Sequence, residues 1–336
     1  MKRIIHHSRF SANPFGHGGE RRTTQIMEYY HNEGYEIETL ILNQTFHFQF
    51  HYLLKSFLIL VNVYGLNDWY SIKRFLKWWK KIYELLPGLE KSFDTDAEIF
   101  IWESTTDSFY FLPYIAKKKG LTVYAYPHNI ESLVKEQKSS ITGKYSLHGF
   151  SSEIKIFRNC DKVFSISYFD NQLLQLFDVN SKLFTYYPPV LVEKHLVSIR
   201  NIRLNCNNST DYKKILIVGT VHNPPTRLSM EKLIKQLNVT ICENSRFVIA
   251  GYGTEELKEM VKSKYVSVLG SLSCQDMEEQ MILCDALLVY HIATTGILTR
   301  VIEFNVAGIP VLINIEASLN FTGIEGVCTY NNLLRF

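Results

Sequence analysis

Short β-branched runs alternate along this chain with windows of helical period, and that alternation restricts it to βα units built on parallel strands. In the first half the runs fit strands at residues 3–7, 36–42, 98–102, 122–126, 162–167 and 182–187. A fresh series begins at Lys214-Ile215-Leu216-Ile217-Val218-Gly219 and continues at 246–250, 265–269, 285–290, 310–314 and 326–329. Helical windows separate these at about 227–237, 254–262, 274–283 and 298–307. Thr23, Ile26, Met27 and Tyr30 recur at i, i+3, i+4 and i+7, and Gly34 closes that helix. Pro188-Pro189 and the polar, Asn-rich stretch to Asp211 read as a linker. The 336 residues are therefore expected to form two consecutive doubly wound α/β domains, 1–190 and 191–336.

Composition removes several classes. With 46% apolar and 13% aromatic residues the chain can bury a core, which excludes disorder. Lys+Arg 36 against Asp+Glu 33 leaves a net charge of +3, which does not suggest nucleic acid as a partner. The six cysteines contain no CxxC pair, so neither a zinc knuckle nor a disulfide framework is expected, and a cytoplasmic setting fits best. No secretory leader is read at the start, and no apolar run approaches the ~20 residues of a membrane span.

Two segments carry candidate chemistry. Gly16-His17-Gly18-Gly19-Glu20 stands between the first strand and the first helix, where glycines let backbone approach a ligand and helix-start N–H groups favour an anion. The spacing is not that of a dinucleotide fingerprint, and an ordinary turn explains it equally. The stronger segment runs from His291 to Val311: a Thr/Gly loop, a helix carrying Arg300 and Glu303, a terminating Gly308 and the next strand. Either Arg300 and Glu303 form an intrahelical pair on a solvated face, or they serve nucleotide recognition. In the second case the loop amides hold a diphosphate, Arg300 clamps it and Glu303 accepts from ribose hydroxyls. Asp94-Thr95-Asp96 spells a metal-binding DxD, but its place between a helix and a strand reads as a turn.

At these residues the chain resembles the retaining GT-B glycosyltransferases of the group 1 type, family 4. The resemblance extends over Ile215–Thr220 with Asn223-Pro224-Pro225, over Phe247–Gly253, over Val268–Ser271 and over Cys284–Val289. In the first half it includes Gly18-Gly19-Glu20, Pro127–Ser132 and Cys160–Ser167. It implies a GT-B fold, two Rossmann-like domains facing across a cleft, with acceptor binding in 1–190 and nucleotide-sugar binding in 191–336. The implied activity is transfer of a sugar from a UDP- or GDP-linked donor to a glycan or lipid-linked acceptor, with retention and without metal or cofactor, in cell-surface polysaccharide biosynthesis. Carried over residue by residue, Gly219, Thr295, Gly296, Ile297, Leu298, Thr299 and Glu303 would bind the donor. Gly18 and Gly19 would form the acceptor or phosphate loop, and His128 and Arg300 would serve catalysis.

The sequence departs from the family in three places. Eight positions before Glu303, where the family has a second acidic residue, stands Thr295. The Arg and Lys that many relatives carry after the strand equivalent to 215–219 are absent. The chain stops at Phe336, before the closing helices of the family, so the second domain reads as incomplete. These departures keep open a degenerate paralogue that binds or scaffolds another transferase. A sugar-nucleotide epimerase, with Glu131 beside His128, is the third reading. Finally, residues 69–89 place Trp69, Ile72, Phe75, Leu76, Trp79, Ile82, Tyr83 and Leu86 at helical spacing, with Lys73, Arg74, Lys77, Lys80 and Lys81 on the other side. That pattern suits a helix lying on an anionic membrane, which would make the protein peripheral to the inner face; an ordinary packed helix is the alternative.

Overall fold

The computed structural model describes residues 2–43, 49–65, 71–103, 105–134, 136–206, 211–292, 295–321 and 323–331. Contacts divide the chain into two compact units, Met1–Tyr186 with Thr295–Ile297, and Tyr187–Thr294 with Leu298–Phe336. Each unit holds one six-stranded parallel sheet, so the expected doubly wound α/β architecture is present twice.

In the first unit the strands are β1 (Lys2–His7), β2 (Tyr35–Thr39), β3 (Ile99–Trp102), β4 (Thr122–Ala125), β5 (Lys162–Ser165) and β6 (Ser181–Leu183), in the order β2-β1-β3-β4-β5-β6. The helices are α1 (Gly18–Asn32), α2 (Phe50–Tyr64), α3 (Ile72–Phe93), α4 (Phe111–Lys118), α5 (Phe150–Asn159) and α6 (Tyr168–Leu176). The two-residue alternation of a strand sends Ile5, Phe100 and Trp102 into one core with Ile82, Leu86 and Phe111. It sends Ile4 and Ile101 into another with Ile26, Tyr30 and Tyr126. Covering both faces accounts for β3 being apolar at every position and wholly buried.

The second unit comprises α7 (Val190–Asn205), β7 (Lys213–Val218), α8 (Pro224–Leu237), β8 (Ser245–Ala250), β9 (Val266–Gly270), α9 (Cys274–Leu283), β10 (Ala286–Val289), α10 (Thr299–Val306), β11 (Val311–Asn314), a single turn α11 (Ile315–Ser318) and β12 (Val327–Tyr330). Its sheet order is β12-β11-β10-β7-β8-β9. The window at 254–262 winds as a 3-10 helix, Thr254–Met260, entered through Gly253 in the left-handed region.

Two expectations change. The linker from Pro188 is instead α7: Pro189 stands at its N-cap, and Val192, Leu196 and Ile199 form a buried stripe at helical spacing. Arg203, one turn further on, donates from Nη1 to the carbonyls of Met281, Ile282 and Cys284 at 2.5, 2.9 and 2.7 Å. That satisfies orphan acceptors around the end of α9. Asn207–Thr210, the most polar part of the expected linker, lie outside the described residues, as does Trp69. In α3 the buried side chains are Trp78, Ile82, Leu85, Leu86, Leu89 and Phe93, whereas Ile72 and Leu76 are exposed beside Lys73, Lys77 and Lys80. Apolar and basic residues thus share the exposed face rather than dividing between two. Among the described residues no helix is long and apolar enough to cross a membrane.

Candidate active site

In an open parallel sheet, ligands bind beyond the carboxyl ends of the strands where the strand order reverses. The order places that point between β1 and β3 in the first unit and between β7 and β10 in the second. Both positions carry buried polar side chains.

In the first unit Glu103, the residue directly after β3, is 1% exposed. Its Oε2 lies 2.7 Å from Nε2 of His6, at the end of β1, and its Oε1 lies 2.7 Å from Nε2 of His128, in the loop after β4. Thr23 of α1 adds a third contact, Oγ1 donating to Oε1 at 2.5 Å. Burial opposes the ionisation of Glu103, but the hydrogen bonds and charge of His128 and His6 outweigh it and hold the carboxyl below its usual range. The carboxylate in turn fixes each imidazole with Nε2–H toward it. Glu103 is sealed, whereas the His128 side chain retains 18% exposure and stacks on Phe10 with ring centroids 5.4 Å apart. His7, beside this cluster, is pushed down to about 3, chiefly by burial and then by the neighbouring His6.

The glycine turn before α1 is internally bonded. Gly19 N–H donates to His17 Nδ1 at 3.1 Å, and His17 N–H donates to Glu20 Oε2 at 3.0 Å, which is a capping box. A Cβ on Gly19 would fall 2.8 Å from the Phe10 ring, so this position is small because Phe10 crosses it. Gly18 is the first residue of α1.

In the second unit Gly219 follows β7 and His291 follows β10. A Cβ on Gly219 would meet Met230 and Thr226 at 2.7 Å and would lie 3.7 Å from Arg300 Nη1. Gly251 has φ +125°, and a Cβ there would strike the Gly219 carbonyl, so the paired glycines let the two strand ends close together. Arg300 lies in the first turn of α10; its side chain is partly exposed, but its Nε is sealed from solvent and has no hydrogen-bond partner. Burial lowers its guanidinium to about 10, opposed by the charge of Glu303. Glu303, one turn on, is 6% exposed, so it does not stand on a solvated face. Burial and then Arg300 push His291 down to about 4, leaving it neutral, and Asn314 clasps its backbone through His291 N–H to Oδ1 at 2.7 Å and Nδ2 to His291 O at 2.9 Å. Leu298 is the N-cap of α10 and supplies no side-chain cap to the helix beginning at Thr299.

The remaining loop residues, Thr295, Gly296 and Ile297, group with the first unit. There Thr295 Oγ1 donates to the Ile130 carbonyl at 3.1 Å, and Gly296 N–H donates to Asp170 Oδ2 at 2.8 Å. Burial raises Asp170 to about 6 against the pull of that amide and of Ser167.

The sequence reading missed Glu103, His6, Thr23 and Asp170. A carboxylate directly after a wholly apolar strand, beside a strand that ends in two histidines, was the available signal. Glu131, the carboxylate that sequence proximity suggested for His128, accepts instead from Gln137 Nε2 at 2.6 Å.

No family model matches the sequence, and no curated protein does. Solved structures match almost the whole chain. Sucrose-phosphate synthase from Thermosynechococcus elongatus is 13% identical, with 98% of this chain and 86% of that one covered, at a TM-score of 0.61. The HepE protein of Anabaena, solved in complex with UDP, is 10% identical over 99% and 87% at 0.59. The trehalose 6-phosphate synthase of Burkholderia multivorans is 9% identical over 98% and 88% at 0.58. At such identities the likeness establishes the fold, and that fold is GT-B.

Proposed function

We propose that the chain is a glycosyltransferase that moves a sugar from a nucleotide-sugar donor, UDP- or GDP-linked, to a glycan or lipid-linked acceptor. The observation that carries this reading is the Arg300–Glu303 pair at the start of α10. A guanidinium with a sealed, unpartnered Nε and a buried carboxylate stand where the second sheet reverses its strand order, in a fold shared with a protein solved with UDP. Departure of a nucleoside diphosphate develops negative charge, which Arg300 and the uncapped N–H groups of α10 are suited to meet. Glu303 is assigned to the ribose hydroxyls and His128, oriented by Glu103, to the transferred sugar. The reaction is read as retaining and independent of metal and cofactor, with Arg300 supplying the positive charge, and as serving cell-surface polysaccharide synthesis.

Peripheral attachment to the inner face of a membrane belongs to the same reading. On α2, Phe50, Leu54 and Leu58 are exposed at successive turns, and on α3 Ile72 and Leu76 stand among exposed Lys73, Lys77 and Lys80. Apolar side chains rimmed by lysines suit an anionic lipid surface.

The test is binding. Saturating UDP or GDP is expected to raise the melting temperature, by about 2.7 kcal/mol of stabilisation at one hundred times Kd, and Glu303→Ala to abolish the shift. Absence of a shift with UDP, GDP and ADP alike would overturn the reading. Nucleotide binding with neither sugar transfer nor donor hydrolysis would favour the degenerate paralogue, for which Thr295 and the engaged amide of Gly296 speak.

A further inference from the structure

Where the second sheet reverses its strand order, several of the polar groups can only give hydrogens. A guanidinium such as that of Arg300 has no acceptor, and the start of α10 presents backbone N–H groups with no side-chain cap. Such groups suit phosphate oxygens but offer nothing to the hydroxyl hydrogens of a sugar, which need acceptors. Glu303 is one acceptor at this point. Asn314 is engaged elsewhere: besides clasping the His291 backbone, its Nδ2 donates to Glu316 Oε2 at 2.5 Å.

His291 supplies a second acceptor. Its Nδ1 lies 2.7 Å from the carbonyl of Ile292. A carbonyl only accepts, so Nδ1 carries the hydrogen, and in a neutral imidazole Nε2 is then a bare acceptor. The ring is neutral at physiological pH because burial and the charge of Arg300 hold it down at about 4. Among the described residues Nε2 has no hydrogen-bond partner, and it is not one of the polar atoms sealed from solvent.

Two neighbouring elements fix the place of this ring. Asn314, at the end of β11, holds the His291 backbone at both N–H and carbonyl. From α8, Ser229 Oγ accepts from Ile292 N–H at 3.1 Å and itself donates to the Pro225 carbonyl at 2.6 Å. A rigid, acceptor-only nitrogen within the field of a donor-only guanidinium suits a ligand that carries a hydroxyl close to an anionic group.

We propose that His291 is a specificity-determining residue, whose Nε2 accepts a hydrogen bond from a hydroxyl of the sugar attached to the diphosphate. With Arg300 given to the diphosphate and Glu303 to the ribose, the sugar is the part of the donor left for it. His291 thereby distinguishes a sugar nucleotide from the bare nucleotide. This role rests on the transferase activity proposed above.

Calorimetric titration at neutral pH tests it, comparing UDP with UDP-glucose, UDP-galactose and UDP-N-acetylglucosamine, and GDP with GDP-mannose. His291→Ala is expected to weaken at least one sugar nucleotide about fivefold relative to its bare nucleotide. His291→Gln, whose amide oxygen can accept, restores part of that ratio. The unaltered chain gives an independent reading. In nitrogen NMR spectra of the histidine-labelled protein, His291 Nε2 is expected to be unprotonated and to shift on adding the sugar nucleotide but not the bare nucleotide. Deoxy analogues of the same donor complete the cycle: loss of the recognised hydroxyl weakens binding to the unaltered chain and leaves His291→Ala unaffected. A protonated Nε2, or a His291→Ala that treats nucleotide and sugar nucleotide alike, would overturn the role of His291 while nucleotide binding leaves the transferase reading standing. Absence of all nucleotide binding would overturn that reading and this role with it.

Discussion

Two glutamates buried in the same unit respond to burial in opposite ways, and their donors explain it. Glu103 and Glu153 are each 1% exposed or less, and each accepts three hydrogen bonds. Two of the donors to Glu103 are imidazoles that can share positive charge with it, so its carboxyl is held low. The donors to Glu153 are two amides and the Ser132 hydroxyl, which stabilise an anion without neutralising it, and burial with the charge of Glu131 nearby pushes it up to about 8. A raised carboxyl binds a proton more tightly in the folded chain than in the unfolded one. Its contribution is therefore whole below the ordinary value of 4.5 and is lost as pH rises toward 8. Above about pH 6.5 the unfolding free energy from urea titration is therefore expected to fall with rising pH, by about 2 kcal/mol at most up to pH 8. Between 4.5 and 6.5 the depressed His7 and His291, which favour the folded chain more as pH rises, offset it. Glu153→Gln should flatten the upper part of the slope, above the window in which Asp170, raised to about 6, also titrates. An unchanged slope in Glu153→Gln would show that Glu153 is ionised throughout.

Helices reveal where pattern and packing part company. In α3 the stripe that packs is Trp78, Ile82, Leu85 and Leu89, because α2 covers that helix from the side: Trp79 Nε1 donates to Ser56 Oγ at 3.0 Å, and Phe57 meets Phe75 and Trp79. The period of an isolated helix cannot say which of two apolar flanks a neighbour will take. What α2 leaves uncovered is Ile72 and Leu76 with the lysines around them. If this face rests on anionic lipid, the chain sediments with phosphatidylglycerol vesicles at low salt and is released from them by high salt. Lys73→Glu with Lys77→Glu and Lys80→Glu should lower the bound fraction severalfold without altering the melting temperature; equal retention would remove the lipid reading. In α7 the buried Val192, Leu196 and Ile199 were legible at helical spacing, but the asparagines that follow obscured them.

Each unit carries its own sheet and its own buried core, so unfolding need not be a single transition. Denaturation followed by calorimetry is expected to resolve two steps, with saturating nucleotide moving the step of the second unit, where Arg300 and Glu303 lie. A shift confined to the first unit would place the nucleotide elsewhere. The twelve strands found among the described residues lie within a few residues of where β-branched runs placed them, as do the helices α1, α8, α9 and α10, because two- and 3.6-residue periods are properties of contiguous chain. His128, Arg300 and Glu303 could be singled out along the chain, since each stands in a segment with a pattern of its own. The carboxylate that orients His128 was not. Glu103 meets His6 across 97 residues and His128 across 25, and no local period encodes such a pairing. It follows from strand order, which sets the ends of β1, β3 and β4 side by side, and from burial, which leaves each polar group there no partner but the others. The same holds for Asp107 and Glu153: along the chain they are ordinary acidic residues, and only the folding of distant loops onto them makes one the acceptor that pins Ser139 and Ile141 and the other a buried acid.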